Sequence, residues 1–227
     1  MKYIKDYSIF ESLSDDQFFK TKEEIDDWIA KIFGIFNDSY INDDLIVDMD
    51  IVNIGYCKLK YFPIKFGKVR GFFCNDNNLI SLKGSPVEVD SFRCENNNLT
   101  TLNYCPRIVK GNFYCHNNKL KSFGNEKINI KGSFHFQNNN IQSLKNFPTV
   151  EGNVYHNGNP ISEILELVEK DKLNSFIQFL NEYDAIVDDK IILERFKDAL
   201  YMIDDDGFYV KNFPIEALNY LKNYKAI

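Results

Sequence analysis

The sequence lacks the segments that mark membrane proteins, secreted proteins and small zinc-binding proteins. No apolar run approaches the roughly 18 residues of a membrane-spanning helix. The first residues contain no apolar stretch of the length, about 7–15 residues, found in secretory signal peptides. The 5 cysteines include no C-x-x-C pair, the usual spacing of structural zinc sites. We therefore expect a cytoplasmic protein that carries no metal or cofactor.

Sequence patterns of common catalytic sites are also missing. The chain has neither the G-x-x-x-x-G-K-[ST] loop of nucleotide-binding proteins nor the G-x-S-x-G turn of serine hydrolases. The acidic run at 204–206 lacks the spacing of a calcium loop, so we interpret it as a solvated turn. These absences favour a protein that is not an enzyme.

What the sequence does contain is enough apolar surface for a folded core, together with an uneven distribution of charge. Apolar residues make up 44% and aromatic residues 15% of the 227-residue chain, which is typical of a globular protein. Residues 54–160 carry 14 Lys+Arg against 6 Asp+Glu, whereas residues 1–53 carry 5 against 13 and residues 161–227 carry 8 against 14. A basic middle therefore lies between two acidic ends.

The basic middle is built from a repeat of 20–21 residues. An asparagine recurs two positions before a leucine or isoleucine, at steps of 20, 21, 21 and 20 residues. The apolar positions around it, such as Phe72, Cys74 and Leu79, follow the leucine-rich-repeat pattern L-x-x-L-x-L-x-x-N-x-L. The recurring asparagines are Asn77, Asn97, Asn118, Asn139 and Asn159.

A structural role explains why asparagine recurs at this position. Each repeat is expected to place a short strand in a parallel sheet and then to return along the other side within about ten residues. The turning segments leave backbone donors and acceptors facing the interior, and an amide offers one acceptor and two N–H donors to satisfy them. We therefore interpret the asparagines as a ladder that holds successive turns together.

The sequence resembles the short leucine-rich-repeat proteins of large tailed bacteriophages and, more distantly, the short-repeat bacterial effectors. The residues that carry the resemblance are "KFGKV" at 65–69, the C-x-x-N-x-L cores of the repeats and "NPISEI" at 159–164. The resemblance implies an α/β solenoid: a leucine-rich-repeat horseshoe with a curved parallel β-sheet and a convex side of extended or 3₁₀ segments. It also implies protein binding, with a host or virion protein as partner and the host cytoplasm as location. Some effector relatives add a cysteine-dependent ubiquitin ligase domain, but no cysteine follows position 115 here.

Helical caps are expected at the two ends of the solenoid, because an uncapped solenoid exposes its core. Thr21 and Glu24 have the spacing of a capping box, and an apolar helical stripe follows them. Apolar residues return to helical spacing after Pro160, and Pro214 marks another helix start. We predict a cap with a helix and edge strands at 1–53, about six repeats at 54–161 and a helical cap at 162–227. A separate docking module is the alternative for the C-terminal helices.

Inward and outward positions follow from the repeat register. Cys105 lies in a return segment and is expected to be partly exposed, whereas the other four cysteines occupy an inward strand position as reduced, buried residues. His156 is expected to point inward, and His116 and His135 to lie on the surface without a third metal ligand. The inward cysteines are Cys57, Cys74, Cys94 and Cys115.

The outward position between two inward strand residues forms a row along the concave face. Its residue types, four aromatic rings, one arginine and one histidine, are those that anchor protein interfaces. A purely structural ladder of rings is the alternative, since strand surfaces favour aromatic residues. The row is Tyr56, Phe73, Arg93, Tyr114, His135 and Tyr155, and the polar row beside it is Asn75, Glu95, His116, Gln137 and Asn157.

The row leads to a functional hypothesis with two rivals. We predict a non-enzymatic protein-binding scaffold. Nucleic-acid or other polyanion binding is the first rival, because the basic middle and the aromatic residues suit it, although the lysines scatter over many repeat positions. A structural component of the virion is the second rival.

Overall fold

The computed structural model describes residues 18–34, 38–187, 190–203, 218 and 221–227. The four helices among them are α1 (Lys22–Phe33), α2 (Ser162–Leu165), α3 (Leu173–Glu182) and α4 (Leu193–Met202). The strands are β1 (Tyr40–Ile41), β2 (Ile46–Asn53), β3 (Lys65–Phe73), β4 (Glu88–Val89), β5 (Ser91–Arg93), β6 (Ile108–Val109), β7 (Phe113–Tyr114), β8 (Asn129–Ile130), β9 (Phe134–His135), β10 (Thr149–Val150), β11 (Val154–Tyr155), β12 (Ile186–Val187), β13 (Lys190–Ile191) and β14 (Lys225–Ala226).

The repeats form a parallel β-solenoid of about 6 turns. One side is a seven-stranded sheet in the order β1-β2-β3-β5-β7-β9-β11, parallel throughout except for the antiparallel pairing of β1 with β2. Phe72, Phe92, Phe113, Phe134 and Val154 pair in succession in this sheet. These partners confirm the predicted steps of 20 and 21 residues.

The return segments form a second parallel sheet, in the order β10-β8-β6-β4. Each of its strands has 2 residues and begins one or two positions after a proline or a loop. The prediction of extended return segments is therefore confirmed, and their pairing with one another was not predicted.

The core lies between the two sheets and is continuous. A column of fully buried rings runs along it, with centroids 5.8 Å apart for Phe72 and Phe92, 5.0 Å for Phe92 and Phe113, and 5.4 Å for Phe113 and Phe134. Buried apolar residues from Ile25 to Tyr224 belong to one cluster. Apolar burial of this extent is the main stabilising contribution to a fold.

The corner between the second sheet and the seven-stranded sheet is closed by glycine. A Cβ at Gly111 would lie 2.7 Å from the Asp90 carbonyl oxygen, and one at Gly132 would lie 2.5 Å from the Gly111 carbonyl carbon. A Cβ at Gly152 would likewise lie 2.6 Å from the Gly132 carbonyl carbon. Successive turns therefore stack backbone on backbone at this corner, and a side chain there would separate them.

The register of the first turn differs from the prediction. Asn53, and not Tyr56, pairs with Phe73, and Leu59 N–H bonds to the Asn77 side chain as Leu79 N–H bonds to Asn97. Cys57 therefore stands three positions later in the repeat than predicted, in the position that asparagine holds elsewhere. The cause is that Cys57, and not an asparagine, stands two positions before Leu59, so the marker of the repeat is missing from this turn.

Helices lie on both sides of the repeats in the chain. The predicted capping box is confirmed: Glu24 N–H donates to Thr21 Oγ1, and Thr21 N–H donates to the Glu24 carboxylate. In α1, Ile25 and Trp28 are buried; in α3, Phe176 and Ile177 are buried. A small three-stranded sheet, β12-β13-β14, accompanies α3 and α4 and was not predicted.

No helix among the described residues is long and apolar enough to span a membrane. Three sequence predictions lie outside the described residues: those for residues 1–17, for the acidic run at 204–206 and for the helix start at Pro214.

Candidate binding face of the seven-stranded sheet

The asparagine ladder joins each turn of the solenoid to the one before it. Asn97 Oδ1 accepts from Leu79 N–H at 2.9 Å, and Asn97 Nδ2 donates to the carbonyl oxygens of Cys74 at 3.0 Å and Cys94 at 3.1 Å. The same three bonds recur at the other four asparagines. The ladder positions Asn77, Asn97, Asn118, Asn139 and Asn159 therefore hold the fold, as the repeat predicts.

A second, exposed ladder runs one residue before the first. Asn96, Asn117 and Asn138 have positive φ, a conformation that asparagine tolerates better than most residues. Each donates from Nδ2 to the side-chain oxygen of the preceding turn at 2.8 Å, and the chain of amides ends at the Asp76 carboxylate. The adjacent asparagines in the sequence thus have two different structural roles.

The outward row of the sheet, which we call the ring row, consists of Phe73, Arg93, Tyr114, His135 and Tyr155, and its members from Arg93 onwards form a stack. The Arg93 guanidinium lies 5.4 Å from the Tyr114 ring centroid. Tyr114 and His135 stack at 4.5 Å, and His135 and Tyr155 stack at 4.3 Å with their planes 11° apart. Lys170 Nζ lies 5.3 Å from the Tyr155 centroid and closes the stack. The strand spacing fixes this arrangement, since neighbouring strands lie about 4.8 Å apart.

Tyr56 does not belong to the ring row. It has a φ of 60° and stands in the first turn where Asp76 stands in the second. The residue is 67% exposed, and a hydrogen bond from its hydroxyl to Asp76 raises its pKa. The predicted row is therefore correct from Phe73 onwards, and Asn53 takes the place predicted for Tyr56.

The polar row beside the ring row consists of Asn75, Glu95, His116, Gln137 and Asn157. Glu95 is 1% exposed although it faces outward. Its Oε1 accepts from Arg93 Nε at 2.8 Å and from Arg93 Nη2. Three buried atoms of the row have no hydrogen-bond partner: Glu95 Oε2, His116 Nδ1 and Gln137 Oε1.

The basic side chains of the repeats lie mostly away from this face. Of the 14 Lys and Arg residues at 54–160, Arg93 alone belongs to the ring row or the polar row. Others form ion pairs outside these two rows: Arg70 with Asp50 at 2.8 Å, between strands β3 and β2, and Lys110 with Glu88 at 2.8 Å. The positive charge that the sequence shows in this region is therefore spread over other surfaces.

His156 points inward as predicted, whereas His116 and His135, predicted on the surface, are half-buried. His156 is buried, and its Nδ1 lies 3.2 Å from Ser162 Oγ. Burial lowers the pKa of His156, and burial together with the neighbouring His116 lowers the pKa of His135. Among the described residues, no group of three or more His, Cys, Asp or Glu is placed to hold a metal ion.

All 5 cysteines are free thiols, and the exposure predicted for two of them is wrong. Cys105 is only 4% exposed, because its return segment packs into the core, and burial raises its pKa. Cys57 is partly exposed, and it occupies the position of the ladder asparagines instead of the predicted inward strand position. Cys74, Cys94 and Cys115 are buried as predicted, and burial raises their pKa values well above the ordinary value.

No protein-family model, no curated protein and no solved structure matches the chain. The functional interpretation therefore depends on the geometry of the sheet face and on the sequence pattern.

Proposed function

We propose that the chain is a non-enzymatic protein-binding scaffold and that the outward face of the seven-stranded sheet is its binding surface. In this proposal the solenoid is a leucine-rich-repeat horseshoe, the sheet face is its concave side, and the helices at both ends are caps. The repeat pattern and the asparagine ladder support the first part. The buried apolar stripes of α1 and α3 support the last.

The observation that carries the proposal is the ring row. Four of its five side chains, Arg93, Tyr114, His135 and Tyr155, are stacked, so little of their conformational entropy remains to be lost when a partner binds. Because the rings stack face to face, their edges face outward, and Tyr114 Oη already accepts from Asn112 Nδ2 at 3.0 Å. Rigid tyrosine side chains beside an arginine are typical of interface hot spots.

The same stacking weighs against the nucleic-acid rival. Single-stranded nucleic acids bind through bases stacked on free aromatic faces. Here the faces of Tyr114 lie against Arg93 and His135, and those of Tyr155 against His135 and Lys170. A base would find ring edges and not ring faces. The sheet face also lacks the basic stripe that a polyanion needs.

The resemblance to bacteriophage repeat proteins suggests where to look for the partner. We propose that the chain is phage-encoded and binds a host or virion protein in the host cytoplasm. A bacterial lysate and purified virions are accordingly the two sources from which a partner should be captured.

The test compares capture by the wild-type protein with capture by two double variants. Tyr114→Ala with Tyr155→Ala removes two members of the ring row and should weaken binding of the partner about thirtyfold or more. Tyr104→Ala with Tyr201→Ala is the matched control, since both tyrosines are exposed, at 55% and 59%, away from the sheet face. The control should bind as the wild type does.

Two further measurements distinguish loss of binding from loss of folding. Each lost stacking contact is worth about 0.5–1.5 kcal/mol, so the melting temperature of the first variant must show that it remains folded. Tyr114→Phe with Tyr155→Phe keeps the stack and removes only the hydroxyls, which gives a second variant should the first unfold. Undiminished capture by the folded ring-row variants would place the binding surface elsewhere. Affinity that falls steeply with log salt would favour a polyanion.

A further inference from the structure

The polar row holds a set of buried hydrogen-bond acceptors that nothing in the fold uses. Glu95 Oε2, His116 Nδ1 and Gln137 Oε1 have no partner, and they belong to three consecutive turns. At about 4.8 Å per turn, the three positions span roughly 10 Å along the sheet. The two oxygens can only accept, and His116 Nδ1 accepts in the neutral Nε2–H tautomer. Buried polar atoms without a partner are rare in native proteins, so we expect a hydrogen-bond donor from another molecule to bind at these atoms.

Because Glu95 is a carboxylate, it favours a positively charged donor. Its side chain is 2% exposed, and one carboxylate oxygen is taken by Arg93 while the other is not. The Arg93 guanidinium lies against both this carboxylate and the Tyr114 ring. The face therefore already holds one cation between a carboxylate and an aromatic ring, an arrangement that stabilises guanidinium and ammonium groups.

The charges around these acceptors also favour a cation. Glu95 and Asp76 are the carboxylates of the polar row and of the exposed ladder beside it, and Arg93 is the one basic residue of the ring row and the polar row. Arg93 is itself bound to Glu95. Around Glu95, an incoming positive group therefore meets two carboxylates and one basic side chain, since Lys170 lies at the far end of the ring row, against Tyr155.

We propose that Glu95, His116 and Gln137 form the subsite that receives an arginine or lysine side chain from a basic segment of the protein partner. The N–H groups of that side chain donate to Glu95 Oε2 and to the neighbouring acceptors of the row. Arg93, whose side chain is 47% exposed, keeps its bond to Glu95 Oε1 and borders the subsite. This inference rests on the proposed function, because it names the chemistry of the partner that the ring row would bind.

The first experiment selects ligands without assuming their identity. A displayed library of random 12-residue peptides is panned on the wild-type protein and counter-screened on Tyr114→Ala with Tyr155→Ala. Peptides that need the ring row and are enriched in arginine or lysine support the inference. Peptides that need the ring row without such enrichment overturn it and leave the proposed function standing. Failure to obtain any peptide that needs the ring row counts against the proposed function itself.

The second experiment locates the cation on Glu95. A selected peptide and its copy with citrulline, a neutral isostere of arginine, are titrated into the wild-type protein and into Glu95→Gln. The wild type should prefer arginine at least tenfold, as expected for hydrogen bonds to a charged group, and Glu95→Gln should abolish the preference. Glu151→Gln is the matched control, because Glu151 is an exposed carboxylate on the second sheet and is bound to Lys131. It should keep the full preference.

The remaining outcomes are also decisive. Equal affinity of the two peptides for the wild type would mean that the buried acceptors are satisfied by water alone, and the inference would fail. A preference that survives in Glu95→Gln would place the cation elsewhere. Should Glu95→Gln melt far below the wild type, Gln137→Met removes a half-buried acceptor and should reduce the arginine preference about threefold or more.

Discussion

At the scale of single residues, position within the turn decides what an asparagine does. Asn138 has positive φ and donates to Asn117, Asn139 bridges two turns through the buried ladder, and the side chain of Asn140 faces solvent. Three identical neighbours thus have three different roles. Residue type alone could not have separated them, whereas the register of the repeat does.

Asn118→Ala should be much more destabilising than Asn140→Ala. The first change leaves Leu99 N–H without its acceptor and the carbonyl oxygens of Cys94 and Cys115 without their donor. The expected loss is about 1–3 kcal/mol in the free energy of unfolding. Asn140→Ala should stay within about 0.5 kcal/mol, as exposed substitutions do. Urea denaturation measures both, and equal midpoints would contradict the assigned register.

The cysteines should react with a thiol reagent in an order set by exposure. Cys57 is partly exposed and should be labelled first under native conditions. Burial raises the pKa values of Cys74, Cys94, Cys105 and Cys115, so little thiolate forms and the reagent has no access. Peptide mass spectrometry after timed labelling gives the order. Early labelling of Cys105 would contradict the burial of its return segment.

At the scale of elements, the sequence predicted the strand register of the second and later turns correctly and that of the first turn wrongly. Hydrophobic spacing and the asparagine gave the correct register wherever the asparagine was present. In the first turn Cys57 replaces it, and the better guide was Leu59, which lies 20 residues before Leu79 and holds the same position. For the same reason, the prediction that Tyr56 belongs to the ring row was wrong.

The corner glycines were not recognised from the sequence, although they recur with the repeat at 111, 132 and 152. None of the three has a positive φ, and no local sequence pattern distinguishes them from other glycines. Their requirement arises from the distance between stacked turns, which becomes evident only when the second sheet is assembled. The unpaired acceptors of the polar row could not be predicted from local sequence either, since the burial of Glu95 depends on its neighbours in adjacent turns.

Gly132→Ala should destabilise the solenoid by about 1–3 kcal/mol, the usual cost of forcing extra atoms into a packed site. Its Cβ would stand 2.5 Å from the Gly111 carbonyl carbon, so backbone must move. Gly55→Ala is the control, because its Cβ would meet nothing nearer than 3.4 Å. Thermal denaturation should show a lower melting temperature for the first and little change for the second. A normal melting temperature for Gly132→Ala would mean that the corner has spare room.

At the scale of the whole molecule, charge distribution and core continuity could be inferred only in part. The sequence showed a basic middle, but the structure places that charge largely off the seven-stranded sheet and partly in ion pairs. The sequence also predicted helical caps, with a separate docking module as the alternative for the C-terminal helices; in the structure the buried residues of α1, the repeats and α3 form one cluster. Long-range pairing of this kind, including the β13–β14 contact, has no signature in local sequence.

The stability of the molecule should depend on pH through its histidines. Burial lowers the pKa of His156, and burial and the charge of His116 lower that of His135, from an ordinary value of 6.5. Below pH 6.5 the unfolded chain therefore binds protons that the folded chain does not, and the free energy of unfolding falls. The full stability is present above pH 6.5 and is lost progressively as the pH decreases toward the folded-state pKa values.

His135→Phe should accordingly lose less stability than the wild type between pH 7.5 and 5.5. Phenylalanine keeps an aromatic ring between Tyr114 and Tyr155 but binds no proton, so the contribution of His135 to the pH dependence disappears while that of His156 remains. Tyr155→Phe is the control, because it changes a ring of the same row without removing a group that titrates in this range. Melting temperatures at several pH values measure the slopes. Parallel curves for the wild type and His135→Phe would mean that His135 titrates alike in the folded and unfolded chains, and that its place inside the stack does not disfavour the charged ring.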